Sequence, residues 1–177
     1  GTWNEVTQAL LDSAKESVSL GLTMLGILSF WCGIMEIGTR AGLVGWLAGR
    51  MTLLLDFLFP ELGRDHPARE PIAVNIIANM LGLGWAATPA GLTAMKELEE
   101  LEEERRAAGD PAAVTQGMAS DEMCTFLVMN ISSLQLIPVN IIAYRSQYHS
   151  TSPAAVTGPC FAATMVSTLA AVIFCKI

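Results

Sequence analysis

Long runs without Lys, Arg, Asp or Glu alternate with short polar segments along the chain. The runs are Ser17–Met35, Pro71–Met95, Met123–Tyr144 and Ser146–Cys175. The first would cover about 28 Å as a helix, close to the hydrocarbon thickness of a bilayer. It follows, without a break, a stretch at residues 3–16 that we predict to be an amphipathic helix running along or into the membrane interface. The first run is therefore the clearest candidate for a simple transmembrane helix. The last run, rich in Ala, Ser and Thr over Pro159–Cys175, predicts a final crossing that packs closely against other helices.

The second run has a different character. Pro71–Met95 contains Asn75, Asn79, the glycines of Gly82–Gly84 and Thr88–Pro89. Membrane helices tolerate such residues at depth only where protein or a wet cavity surrounds them. The glycines predict an interruption, and Thr88 as cap with Pro89 at the first position predicts a restart. Two arms of about ten residues would each cover about 15 Å, or half a bilayer, which favours a re-entrant helical hairpin.

The third run repeats this pattern. Asn130 and Ser133 are three residues apart on one helical face, and Pro138 removes a backbone hydrogen bond soon after them. Broken apolar segments at corresponding positions are typical of transporter-like sites built from an inverted repeat. We therefore predict an all-α polytopic integral membrane protein with two broken or re-entrant helical hairpins.

Composition supports a membrane protein and excludes several functions. Hydrophobic residues make up 52% and charged residues 15% of the 177, whereas soluble domains average about 25% charged. The net charge of −7 argues against nucleic acid as a partner. Much of the acidic excess lies in Glu97–Glu104, which predicts a solvated helical extension.

The chain lacks the usual signatures of catalysis and cofactor binding. Its four cysteines lie in apolar segments without a CxxC pair, and there is no HExxH, GxSxG, GxGxxG or Walker loop. These absences predict that the protein is not an enzyme and holds no cofactor or metal.

Neutral polar side chains and glycines in the two broken segments form the candidate site. They suit an uncharged or zwitterionic solute, or partial coordination of a cation, and the helix ends at each break would add unpaired N–H and C=O groups. The alternative is structural, because the same side chains can bond to each other and to the freed backbone. The candidate substrate-binding residues are Asn75, Asn79, Gly82, Gly84, Thr88, Asn130, Ser132, Ser133 and Gln135.

Several motifs carry a family resemblance. They are Leu-Gly-Ile-Leu-Ser-Phe-Trp-Cys-Gly at 25–33, Ala-Asn-Met-Leu-Gly-Leu-Gly at 78–84, Ala-Ala-Thr-Pro at 86–89, Asn-Ile-Ser-Ser at 130–133 and Leu-Ile-Pro at 136–138. On these residues the chain resembles the spore maturation protein A family of nucleoside-recognition, or Gate, domain proteins. The resemblance covers nearly the whole chain apart from an acidic helical insertion at about residues 97–116.

The resemblance implies a single Gate-type domain over residues 1–177, in a multi-pass protein of the bacterial cytoplasmic (inner) membrane. It further implies a complex with a second Gate protein, of the spore maturation protein B type, or with a second copy of the chain. Such a complex would transport a small, unidentified solute, and the family is linked to dehydration of the spore core. The alternative is a membrane scaffold or assembly factor that transports nothing.

Overall fold

The computed structural model describes residues 2–132 and 134–176, with only the backbone described at Met35, Trp85 and Ala86, and within these residues it consists of helices joined by turns and loops, with no strand. A short 3₁₀ helix joins the last two α-helices. The predicted all-α class is confirmed. The helices are α1 Thr2–Arg40, α2 Leu43–Arg50, α3 Thr52–Leu58, α4 Arg69–Met80, α5 Gly84–Ala108, α6 Asp121–Ser132, α7 Val139–Gln147, the 3₁₀ helix Pro153–Val156, and α8 Thr157–Phe174.

Helix α1 is one continuous element of 39 residues. It runs beyond the apolar stretch to Arg40, which pairs with Glu36 at 2.8 Å. The chain turns only at Gly42, whose φ of 84° is left-handed. Among the described residues, α1 and the segment Pro153–Phe174 are long and apolar enough to cross a bilayer, and their most apolar windows contain no buried residue.

The predicted interruption of the second uncharged run is confirmed, since α4 and α5 pack against each other as a hairpin. The predicted restart at Thr88–Pro89 is wrong, because α5 begins at Gly84 and continues through Pro89. Its first turn is already closed by the bond from Ala87 N–H to Leu83 O at 2.9 Å. Re-entrance into a bilayer stays a prediction.

The third uncharged run is broken, as predicted, but it is an interrupted helix and not a second hairpin. Helix α6 packs against α4 and α8, whereas α7 packs against α1 and the 3₁₀ helix. Pro138 is the residue just before α7, where its missing N–H costs no helical bond.

A buried apolar core lies between α3, α4, α5 and α6. Its most enclosed large side chains are Phe59, Ile72, Leu98 and Phe126, each at most 1% exposed. This core fixes the outer ends of the hairpin and of α6, and so determines where their inner ends meet.

Two groups of charged residues lie next to the core, and together we call them the charged cluster: Arg69 with Asp56, and Arg105 with Glu102 and Glu122. Arg105 donates to Glu102 at 2.7 Å and to Glu122 at 2.8 Å. Glu102 is 1% exposed. The prediction of a solvated acidic helix is therefore wrong at this position. The carboxylate of Glu102 also accepts a hydrogen bond from the Val114 N–H at 3.1 Å, and this bond joins the loop after α5 to the helix.

The acidic insertion is helical over only part of its predicted range. Helix α5 ends at Ala108, and Gly109 closes it with a left-handed φ of 69°. Residues 109–120 form the loop that leads to α6.

Candidate functional site

The two interruptions meet inside the molecule. The backbone N–H of Leu136 donates to the carbonyl of Met80 at 2.8 Å. Gly82 has a φ of 75°, and a Cβ there would lie 2.6 Å from the carbonyl oxygen of Ile137. We call this contact between residues 80–83 and residues 134–138 the junction. Only glycine fits its closest point, because both the backbone angle and the space exclude a side chain.

Three asparagines form a ladder beside the junction. Asn75 Nδ2 donates to Ala87 O at 2.8 Å, which ties α4 to α5. Asn79 Nδ2 donates to Asn75 Oδ1 at 3.3 Å and to Asn130 Oδ1 at 2.7 Å, which extends the ladder to α6. The four-residue spacing of the first two places them on one helical face, as predicted. The ladder therefore joins the hairpin to the interrupted helix.

Asn79 differs from Asn75 in its exposure. Asn75 is 2% exposed, and both the nitrogen and the oxygen of its amide form hydrogen bonds within the protein. Its role is therefore structural. Asn79 is half-buried, and its Oδ1 accepts no hydrogen bond from the residues that the structure describes. An amide oxygen that is removed from bulk water costs free energy unless a donor bonds to it. Asn79 thus offers a polar contact to a solute.

Two cavities adjoin Asn79. The larger, of about 580 Å³, lies between the α2–α3 segment and helices α4, α6 and α8. The smaller, of about 90 Å³, lies at the junction and is lined by Gly82, Gly84, Gln135 and Asn140. Because Asn79 lines both, its side chain is the polar group that they share.

The structure brings together most of the predicted site residues. Asn130 lines the larger cavity; Gly82, Gly84 and Gln135 line the smaller one. Thr88 and Ser132 line neither, since their hydroxyls donate to Gly84 O at 3.1 Å and Met129 O at 3.0 Å, within their own helices. Ser133 lies outside the described residues.

Sequence reasoning missed three groups that support the junction. Trp31 Nε1 of α1 donates to Leu81 O at 3.3 Å, so this tryptophan lies at the hairpin tip. From α8, Thr164 accepts from Gln135 N–H at 3.2 Å, and Thr168 donates to Ser132 O at 3.5 Å. The four-residue spacing of the two threonines was the available signal.

The comparison with known proteins agrees with the motifs. Spore maturation protein A of Bacillus subtilis (strain 168) is 36% identical over 173 residues, which cover 98% of this chain and 83% of that protein. The chain belongs to the spore maturation protein A family. No protein-family model and no solved structure matches it. The family relation and the two long apolar helices together support membrane association. The Gate architecture stays a prediction.

Proposed function

We propose that the chain is a multi-pass protein of the bacterial cytoplasmic membrane that passes a small solute, as one component of a two-protein complex. The observation that carries this proposal is the position of Asn79, which has an available amide oxygen between two cavities where two interrupted elements meet. Transporter sites are built where helix interruptions meet near the middle of the bilayer.

The lengths of the elements support a junction at mid-depth. Helix α8 runs antiparallel to the α6–α7 segment, with Thr168 beside Ser132 and Lys176 bonded to Leu58 O near the charged cluster. The 12 residues of α6 cover about 18 Å and the 9 of α7 about 14 Å. In this arrangement α1, α6–α7 and α8 cross the bilayer. The hairpin enters from the side of the charged cluster, which this arrangement puts with α3 at the bilayer surface, where α6 begins and Glu122 lies in its first turn.

The path for a solute follows from the contacts at the junction. The Leu136–Met80 hydrogen bond joins the two interruptions, and both residues line the larger cavity. Opening of this contact would connect the two cavities past Asn79 and expose the carbonyl groups of both interruptions. A small solute would then exchange one set of hydrogen bonds for another and would not cross bare hydrocarbon.

A partner protein fits the exposed helices. The apolar windows of α1 and α8 have no buried residue, and exposed side chains such as Leu22, Phe30 and Leu169 lie along them. Lipid covers part of this surface, and a Gate-type protein of the spore maturation protein B kind, or a second copy of this chain, would cover the rest.

The alternative function is a scaffold that assembles other membrane proteins. One observation favours it, because every fully buried side-chain polar atom among the described residues has a hydrogen-bond partner. The asparagine ladder would then only fasten α4 to α5 and α6.

The double variant Asn79→Leu with Asn130→Leu separates the two functions. It replaces both partners of the 2.7 Å bond, although the buried Oδ1 of Asn75 loses the donor that Asn79 supplies, which costs some stability. The assay follows swelling of proteoliposomes in isosmotic glycerol, urea or glycine, with and without a co-expressed spore maturation protein B-type partner. Asn4→Leu, at an exposed position on α1, is a control that makes the same type of substitution once, away from the site.

If the protein permits permeation, vesicles with the wild type or Asn4→Leu should swell and vesicles with the double variant should not, while all three proteins co-purify with the partner. Loss of co-purification in the double variant alone, with no solute entering any vesicle, would instead support the scaffold.

A further inference from the structure

The larger cavity has walls of a different chemistry from the junction. Side chains of Leu47, Met51, Leu54 and Phe57 line it from the α2–α3 segment, and those of Leu169 and Val172 from α8. Its volume of about 580 Å³ lies within the range of sites that enclose one small organic molecule, about 300–1,000 Å³. These walls favour a ligand with an apolar body, which a small hydrophilic solute lacks.

Among the residues that the structure describes, Arg50 is the one charged residue that lines this cavity, and it is exposed. Its guanidinium lies over the ring of Trp46, 4.7 Å from the ring centre. It forms no ion pair with any carboxylate in the described part of the chain. A guanidinium beside apolar walls is stabilised by an anion that accepts its parallel N–H donors, and a carboxylate matches that geometry.

Arg50 is exposed, and it differs in this from Arg69 and Arg105, whose side chains are largely buried near the core. Arg69 is bonded to Asp56, and Arg105 to two glutamates. In both cases the protein itself supplies the anion. At the cavity wall the described residues supply only an aromatic ring, which is a weaker partner than a carboxylate.

We propose that the larger cavity binds an amphiphilic acid, with its carboxylate on Arg50 and its apolar body between α2–α3 and α8. This goes beyond the proposed function, because it assigns a bound ligand to the cavity and leaves the hydrophilic solute that would pass the junction unnamed. The half-buried amide of Asn79 lines the same cavity and gives the ligand a second polar contact.

The test measures equilibrium binding of radiolabelled decanoate to the protein in phosphatidylcholine nanodiscs, corrected for partition into protein-free discs. Methyl decanoate has the same chain without the charge. The variants are Arg50→Gln, Arg50→Lys and the control Arg40→Gln, which removes an exposed arginine of α1 that is paired with Glu36 and lies outside the cavity.

Decanoate should bind the wild type at least about tenfold more tightly than methyl decanoate, because a hydrogen bond to a charged group is involved. Arg50→Gln should abolish this preference, Arg50→Lys should keep part of it, and Arg40→Gln should leave it unchanged. Equal binding of the two ligands by the wild type, or equal effects of the two glutamine variants, would overturn the proposal.

A second variant covers the case in which Arg50→Gln does not fold. Leu47→Trp narrows the cavity but keeps the charge, and it should weaken decanoate and methyl decanoate alike; unchanged binding would overturn the proposal. Loss of decanoate binding in phosphatidylglycerol discs would assign the cavity to a membrane lipid and would also overturn it.

The outcomes also separate this inference from the proposed function. Decanoate binding that depends on Arg50, in vesicles through which no solute moves, would support the binding site and reject permeation. Permeation that depends on Asn79, without decanoate binding, would support permeation and reject the binding site.

Discussion

The asparagine ladder beside the junction and the charged cluster hold polar groups inside the fold in opposite ways. In the charged cluster, Arg105 is saturated by Glu102 and Glu122, and Glu102 in turn holds the backbone of Val114. In the asparagine ladder beside the junction, neutral side-chain amides make the hydrogen bonds. The Oδ1 of Asn79 accepts no hydrogen bond from the described residues.

This difference separates a polar network that fastens the fold from one that can receive a ligand. Ions taken out of water require full pairing, since each unpaired charge costs several kcal/mol (about 3–5 for a broken buried pair). Amides cost less to leave partly unsatisfied, so a site that must exchange partners is better made from them. The predictions below test the contrast from the largest expected effect to the smallest.

Arg105→Met should cause the largest loss of stability. It leaves the carboxylates of Glu102 and Glu122, whose side chains are 2% and 6% exposed, without their counter-ion. The free energy of unfolding should fall by about 3–5 kcal/mol, measured by chemical unfolding in detergent micelles. Lys96→Met breaks an exposed pair with Glu100 and should cost less than about 1 kcal/mol. Equal losses would show that the charged cluster is not a buried network.

Gly82→Ala should have the next largest effect, because it strains the left-handed backbone and forces a methyl group against the Ile137 carbonyl. The expected loss is about 1–3 kcal/mol, measured in the same unfolding assay. Gly84→Ala is the matched control two residues away, since a Cβ there meets no atom within 4 Å. If Gly84→Ala were as harmful as Gly82→Ala, the close approach at the junction would be wrong.

The pH dependence of stability should show a smaller effect at Asp56. The hydrogen bond from the Arg69 guanidinium lowers the pKa of Asp56 below its ordinary 3.8. The pair therefore stabilises the fold above about pH 3.8 and loses this contribution as the pH falls through the lowered value. The stability difference between wild type and Asp56→Asn should shrink below pH 3.8, followed by thermal unfolding between pH 3 and 7.

Asp65→Asn is the control for this measurement. Asp65 is an exposed carboxylate in the loop between α3 and α4. Its effect on stability should not vary with pH in the manner of Asp56→Asn. If the stability difference between wild type and Asp56→Asn stayed the same at the acid end of the pH range, the pairing of Asp56 with Arg69 would be contradicted.

The sequence predicted those features that depend on neighbouring residues. The uninterrupted apolar run of α1, the interruption at Gly82 and the shared face of Asn75 and Asn79 all follow from local spacing. The family assignment followed from motifs in the same segments and is confirmed. The restart at Thr88–Pro89 failed because capping preference, about 1 kcal/mol, is weaker than the closure of an earlier turn by tertiary packing.

Features that depend on distant residues were not predictable. Trp31 and Leu81 are separated by 50 positions, and nothing near Trp31 marks it as a partner of the hairpin tip. Glu102 looked solvated because its neighbours are charged, yet Arg105 and the loop after α5 bury it. The prediction of a second hairpin was wrong because a proline indicates where a helix breaks and not the direction in which the chain continues.

The bond between Leu136 N–H and Met80 O has an evolutionary consequence. It joins main-chain atoms, so it survives exchange of either side chain for almost any other except proline at position 136. Among family members we therefore expect positions 80 and 136 to drift in residue type while glycine persists at 82. The geometry of the junction would then be inherited through a position that has no side chain.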